Sequence, residues 1–133
     1  MPARQQFYLH SFDVRQPDLN WANPEVREAF KDVMRFWLDK GVDGFRVDAV
    51  RFMGKDPLFR NNPKNPHYKS GHGSAYGSLI HKHSQGGPQL YGYLAEMASV
   101  LKEKSYRRNP RFMVTESYPE EPIEEYLMYY QSR

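Results

Sequence analysis

Apolar residues recur along the chain with two different periods. After Asn23-Pro24, the residues Val26, Phe30, Val33 and Trp37 are spaced by four, three and four, with Ala29 and Phe36 alongside. That spacing predicts a helix over 24–40. Asn23 suits the N-cap and Pro24 the first helical position, where the missing N–H costs nothing. Glu25 and Glu28 put negative charge near the positive end of the dipole, and Gly41 supplies the stop. In 42–50 the period changes to two. Phe45, Val47 and Ala49 then point one way, and Gly44, Arg46 and Asp48 the other, as in a strand with one apolar face.

Residues 51–87 show no periodicity and are rich in Gly, Asn, Pro, His and Ser, so they read as a long irregular connection, a type that is usually functional or mobile. Pro88 then opens a second helix. Leu90, Leu94, Met97 and Leu101 mark its buried stripe, with Ala98 and Val100 at the margins, and it frays near Lys104-Ser105. Residues 111–116 read as a short strand ending on Glu116. Pro119 and Pro122 break the chain, and 123–130 begins a third helix. Helix, strand, loop, helix, strand, helix is the order of an α/β fold with a parallel sheet and right-handed crossovers.

The chain has 133 residues, too few for a complete eight-stranded α/β barrel, which takes about 250. Aromatics reach 15%. That argues against disorder, and it suits a dense core or a surface that stacks on flat ligands such as sugars or bases. The net charge is only +3. The densest basic stretch, Lys102 to Arg111, is interrupted by Glu103 and Tyr106. It reads as a solvated helix end, so no nucleic-acid partner is expected. The absence of cysteine excludes disulfides and thiolate metal sites. His72, His81 and His83 fall in the irregular connection, but Lys82 sits between the last two and no other ligand spacing supports a metal. No apolar run is long enough to cross a membrane, and the opening residues lack a signal peptide's apolar stretch. A soluble, cytoplasmic protein is expected.

Asp48 and Glu116 stand at the C-terminal ends of two predicted parallel strands, the edge where α/β folds place their ligands. On neighbouring strands the two carboxyl groups would lie roughly 5 Å apart, near the spacing of a retaining glycosidase pair. Arg46 shares a strand face with Asp48 and would keep it ionised. Glu116 has no cation in its own strand and could stay protonated as an acid. A half-exposed antiparallel strand with a surface ion pair would carry the same residues, and such motifs arise by chance.

The segment Gly41-Val42-Asp43-Gly44-Phe45-Arg46-Val47-Asp48-Ala49-Val50 resembles the region around the nucleophile in the α-amylase family, glycoside hydrolase family 13. Thr115-Glu116-Ser117-Tyr118 is similar to that family's acid/base segment. Gln16-Pro17-Asp18-Leu19-Asn20 resembles the signature near the end of its inserted second domain, in the form found in the α-glucosidase and oligo-1,6-glucosidase branch. The resemblance spans about residues 6–131. It implies a part of a (β/α)8 barrel holding helix 3, strand 4, helix 4 and strand 5. Residues 1–22 would be the tail of the inserted domain. Residues 23–133 would be partial barrel, with 51–87 as a long active-site loop.

By the same resemblance Asp48 is the nucleophile and Glu116 the acid/base, with Arg46, Ala49, Phe52 and Tyr118 as substrate-binding positions. No cofactor is implied in these residues, although calcium is compatible with the complete barrel. The implied partner is an α-linked oligosaccharide, and the implied activity is that of a retaining α-glucosidase, with the chain inactive alone. Unpaired strand edges leave self-association open. The family's first motif lies upstream and its last, carrying a third acid, downstream of the residues present. Arg51-Phe52 replaces the Lys-His of many α-amylases. A small residue at position 49 goes with α-1,4 enzymes of this branch and Val with α-1,6 enzymes. A trehalose synthase or other transglycosylase of the superfamily is an alternative, as is a non-catalytic sugar-binding relic.

Overall fold

The structure, a computed structural model, describes residues 6–69, 71 and 75–118. The helix expected over 123–130, and His72, lie outside the described residues. Helix α1 spans Pro24–Asp39 and begins as its cap signals predict. The Asn23 side chain accepts a hydrogen bond from the Glu25 N–H at 2.9 Å, satisfying one of the first-turn donors. Gly41, at φ +94°, takes the left-handed conformation that turns the chain out of the helix.

Strands β1 (Gly44–Val47) and β2 (Phe112–Thr115) pair in parallel, with Gly44 opposite Phe112 and Val47 opposite Thr115. The expected adjacency of the two strands therefore holds. Gly44 is required by the pairing itself, since a Cβ there would stand 2.3 Å from the Phe112 carbonyl oxygen. Phe45 and Val47 pack towards the core while Arg46 faces solvent, as the alternation predicts. Ala49 does not continue that apolar face. It adopts φ 47°, ψ 41°, and the chain turns there into a 3₁₀ segment, Val50–Met53.

Helix α2 runs Leu90–Leu101, starting two residues after Pro88. Its buried residues are Leu90, Leu94, Met97 and Val100. Val100 is fully buried and Leu101 only half, which exchanges the roles expected of them. The helix stops at Leu101 and is followed by tight turns instead of a frayed end. Tyr106 from those turns is buried, and its hydroxyl donates to Asp39 on α1 at 2.8 Å.

The core lies between α1, α2 and the 3₁₀ segment after β1, and contains Met34, Leu38, Val50, Met53, Leu94 and Met97. The buried face of α1 is thus Met34 and Leu38, not the stripe expected from spacing. Val33 and Trp37 are half exposed. The apolar surface of α1 is broader than one neighbouring helix can cover, and α2 sits on one side of it. Arg27–Glu96 at 3.0 Å ties α1 to α2, and Arg35–Glu103 at 2.8 Å ties α1 to the turns after α2. The second absorbs the acid of the basic stretch, while Arg111 pairs with Asp43.

The connection after β1 is better organised than its composition suggests. A second 3₁₀ turn covers Ala75–Ser78, and Lys64 and Leu79 form an antiparallel bridge. Backbone hydrogen bonds close its base: Asp56 N–H to His83 O, Gly86 N–H to Arg51 O and Gly87 N–H to Gly54 O, each 2.9 Å. The last contact needs bare backbone, because a Cβ on Gly54 would lie 2.8 Å from the Gly87 carbonyl oxygen. Asp56 and His81, polar residues in an irregular segment, are both buried.

Candidate active site

The parallel ladder does not end at Thr115. The Glu116 N–H donates to Val47 O at 2.8 Å, and the Val50 N–H donates back to Glu116 O at 3.2 Å. The backbone of Glu116 is therefore held from both sides of the Asp48-Ala49 turn. The left-handed conformation of Ala49 brings the Val50 N–H round to make the second bond. Two backbone hydrogen bonds thus place the Glu116 carboxyl beside the Asp48 carboxyl.

Arg46 joins them. Its Nη1 lies 3.1 Å from Asp48 Oδ1 and its Nη2 lies 2.8 Å from Glu116 Oε1. Glu116 has no cation in its own strand, as expected, but β1 supplies one across the ladder. Arg46 stands opposite Val114, two residues before Glu116, and the guanidinium spans that distance. Tyr118 adds a further donor, its hydroxyl reaching Glu116 Oε1 at 3.0 Å.

The Asp48 carboxyl is held below the usual carboxylate range. The largest cause is its hydrogen bond with the Glu116 carboxyl, ahead of the Arg46 charge and the Ala49 N–H, while loss of solvent opposes them. Arg46 works in the expected direction but as the smaller contribution. Asp48 is thereby favoured as the anion, the state a nucleophile needs. The Tyr118 hydroxyl is raised above its ordinary value, first by the hydrogen bond to Glu116 and then by that group's charge, so it stays protonated as a donor.

Around the pair is a cleft of ≈340 Å³ lined by Phe12, Asp48, Ala49, Arg51, Phe52, Tyr76, Gln85, Glu116, Ser117 and Tyr118. Of the positions expected from sequence, Asp48, Glu116, Ala49, Phe52 and Tyr118 all meet here. Arg46 lies beside the cleft and reaches it through its two carboxylate partners. Phe12, Arg51, Tyr76, Gln85 and Ser117 were not expected. Phe12 stands against Phe52 with ring centroids 4.8 Å apart, forming an apolar wall. Tyr76 stacks on His81 at 3.6 Å, and His81 Nε2 lies 2.9 Å from the Tyr76 carbonyl oxygen. Among the described residues no group of three or more His, Asp or Glu could hold a metal.

Phe12 is delivered by Asp18 of the Gln16-Pro17-Asp18 motif. The Asp18 carboxylate pairs with Lys55 Nζ at 2.9 Å and accepts hydrogen bonds from the Ser11 N–H and hydroxyl. Burial works against ionisation of Asp18, but the bonds from Ser11 and Lys55 outweigh it and hold the carboxyl below its ordinary value. The only sequence signal for Phe12 was its place a few residues ahead of that motif.

Residues 2–133 match the family model described as alpha amylase, catalytic domain. The chain belongs to that family. A salivary alpha-glucosidase of Aedes aegypti is 41% identical over 124 residues, covering 90% of this α-amylase-family chain and 21% of that protein. An oligo-1,6-glucosidase of Heyndrickxia coagulans is 44% identical over 99 residues, covering 74% and 16%. The crystal structure of the alpha-glucosyl transfer enzyme XgtA superposes with a TM-score of 0.84 at 36% identity, over 99% of this chain and 25% of that one. The chain spans about a fifth of the length of the curated relatives it matches.

Proposed function

We propose that this chain carries the nucleophile and the acid/base of a retaining α-glucosidase acting on short α-glucosides. The observation that carries the reading is Arg46 bridging two carboxyl groups at the C-terminal ends of adjacent parallel strands. One guanidinium reaching both acids keeps them close, as in a retaining pair, whose carboxyls stand about 5–5.5 Å apart against about 6.5–9.5 Å for an inverting pair. Relatives named alpha-glucosidase and oligo-1,6-glucosidase support the substrate class. We read α1, β1, α2 and β2 as helix 3, strand 4, helix 4 and strand 5 of a (β/α)8 barrel, with residues 1–22 closing an inserted domain.

In this mechanism the Asp48 carboxylate attacks the anomeric carbon as the bond to the leaving oxygen breaks. Glu116 gives its proton to that oxygen, and the aglycone departs as an alcohol. The glucosyl–Asp48 ester is then attacked by water. Glu116 takes the water proton, and Asp48 leaves as a carboxylate. The Arg46 guanidinium balances the negative charge as it alternates, on Asp48 in the free enzyme and on Glu116 while Asp48 is esterified. The aromatic wall of Phe12 and Phe52 offers stacking surface to the sugar.

The test is glucose release from a chromogenic α-glucoside by the full-length protein, with NMR of the first-formed product. Two inversions give α-glucose, Asp48→Asn abolishes turnover, and Glu116→Gln slows both steps. First appearance of β-glucose would overturn the assignment of Asp48. The similarity to a glucosyl transfer enzyme favours one second reading, transfer to a sugar acceptor in place of water. Product analysis on maltose separates the two.

A further inference from the structure

Glu116 Oε1 receives two donors, Arg46 Nη2 at 2.8 Å and the Tyr118 hydroxyl at 3.0 Å. A carboxylate oxygen so occupied presents its lone pairs to fixed N–H and O–H groups, and a proton placed on it would face two donors. The proton of the neutral acid therefore belongs on Oε2. We infer that Tyr118 is a positioning residue which, together with Arg46, assigns Glu116 Oε1 to the protein and leaves Oε2 as the atom that delivers and recovers the catalytic proton. This deepens the reading of Glu116 as acid/base and rests on it.

The role differs from that of a sugar contact, which the resemblance implies for Tyr118. The hydroxyl points back to the acid two residues before it in the chain. The ring is mostly exposed, with 78% of the residue accessible, so it adds little packing that a substitution would disturb. The other groups that face Glu116 are Arg46 and Asp48. Arg46 serves both acids, whereas the Tyr118 hydroxyl donates to Glu116. Tyr118 keeps its own proton throughout. In the first step the Oε2 proton moves to the glycosidic oxygen, and in the second Oε2 accepts a proton from water, so nothing is consumed at Tyr118.

Acid assistance matters in proportion to how poor the leaving group is. Maltose loses an alkoxide that must be protonated, whereas α-glucosyl fluoride loses fluoride and needs no acid. The test compares both substrates in the full-length protein and in Tyr118→Phe. Because general acid catalysis contributes roughly 10²–10⁴-fold, misdirecting the proton should lower kcat/KM on maltose about tenfold while α-glucosyl fluoride stays within about twofold. The fluoride also reports that the variant is folded. An equal fall on both substrates would make Tyr118 a structural residue, and no fall on maltose would remove its role; either overturns the inference. Glu116→Gln is run in parallel. If it turns over maltose normally, or if the full-length protein acts on neither substrate, the acid/base reading itself has failed, whatever Tyr118 does.

Discussion

Lys55 Nζ sits 2.9 Å from Asp18 Oδ2, with both side chains largely withdrawn from solvent, and this pair ties the segment carrying Phe12 to the loop carrying Phe52. Removing Lys55 leaves Asp18 with Ser11 alone. Lys55→Met should destabilise the full-length protein by about 1–3 kcal/mol, the cost of a buried charged acceptor that loses its partner. It should also make the chain around residues 6–18 cleavable by a protease. The pH dependence has a definite sign. Asp18 is held below its ordinary value, so its contribution is present above the unfolded carboxylate pKa of about 3.9 and is lost as pH falls through the lower folded value. Wild type should lose that increment in acid, and Lys55→Met, which keeps only the Ser11 bonds, should lose a smaller one. A variant with wild-type proteolysis and an unchanged acid limb would show that the pair carries no load.

That pair also marks what the sequence leaves unread. Asn23, Pro24 and Gly41 act within a turn of where they stand, so the bounds of α1 are legible from local chemistry. Which face of α1 is buried is not, because Met34 and Leu38 are selected by the position of α2. Asp48 and Glu116 are legible as strand-end acids. The cation beside Glu116 depends on the register that sets Arg46 opposite Val114, and register is a property of two strands together. Phe12, Tyr76 and Gln85 reach the cleft only through contacts distant in sequence, in a connection whose composition hides its backbone closures.

Gly44→Ala should be far more damaging than its size suggests. The added methyl would meet the Phe112 carbonyl oxygen at 2.3 Å and the Phe112 ring at 2.7 Å. The backbone cannot yield without opening the β1–β2 ladder at its first pair. We expect a loss of about 3 kcal/mol or more, in the range of overpacked sites, together with loss of glucosidase activity as the two carboxyls separate. Denaturant unfolding would measure the first effect, and a shift below about 0.5 kcal/mol, as at an ordinary surface site, would contradict it.

Ala49→Val tests linkage choice and backbone strain together. By the family resemblance, Ala at this position goes with α-1,4 substrates, and a β-branched side chain beside the scissile bond narrows the leaving-sugar side of the cleft. Ala49 also occupies the left-handed region at φ 47°, where a β-branched residue is a conformational outlier. The variant should lose about 1–2 kcal/mol of stability, and its isomaltose-to-maltose ratio should rise by about 10-fold or more, since one such contact is worth about 1–3 kcal/mol. An enzyme that already cleaves isomaltose faster than maltose, or a ratio unmoved by the substitution, would sink the linkage assignment.

Residues 1–133 expressed alone should lack measurable glucosidase activity and should associate. Among the described residues β1 and β2 pair only with each other, so each presents one open edge of N–H and C=O groups, and open parallel edges recruit further chains. The apolar surface is uncovered as well. Val33, Phe36 and Trp37 on α1, and Phe112 and Val114 on β2, are each 46–60% exposed. Trp21, Phe30, Val33, Trp37 and Phe45 line a mostly apolar groove of ≈510 Å³ against β1. The site suffers for the same reason. The Asp48 side chain is 67% exposed, and charge stabilisation of a transition state is weak where water competes at high dielectric. We expect a broad thermal transition, concentration-dependent sedimentation, and no turnover of a chromogenic α-glucoside above a Glu116→Gln control. A cooperative, concentration-independent melt with turnover above that control would mean that two strands and two helices suffice to hold Asp48, Arg46 and Glu116 in working geometry.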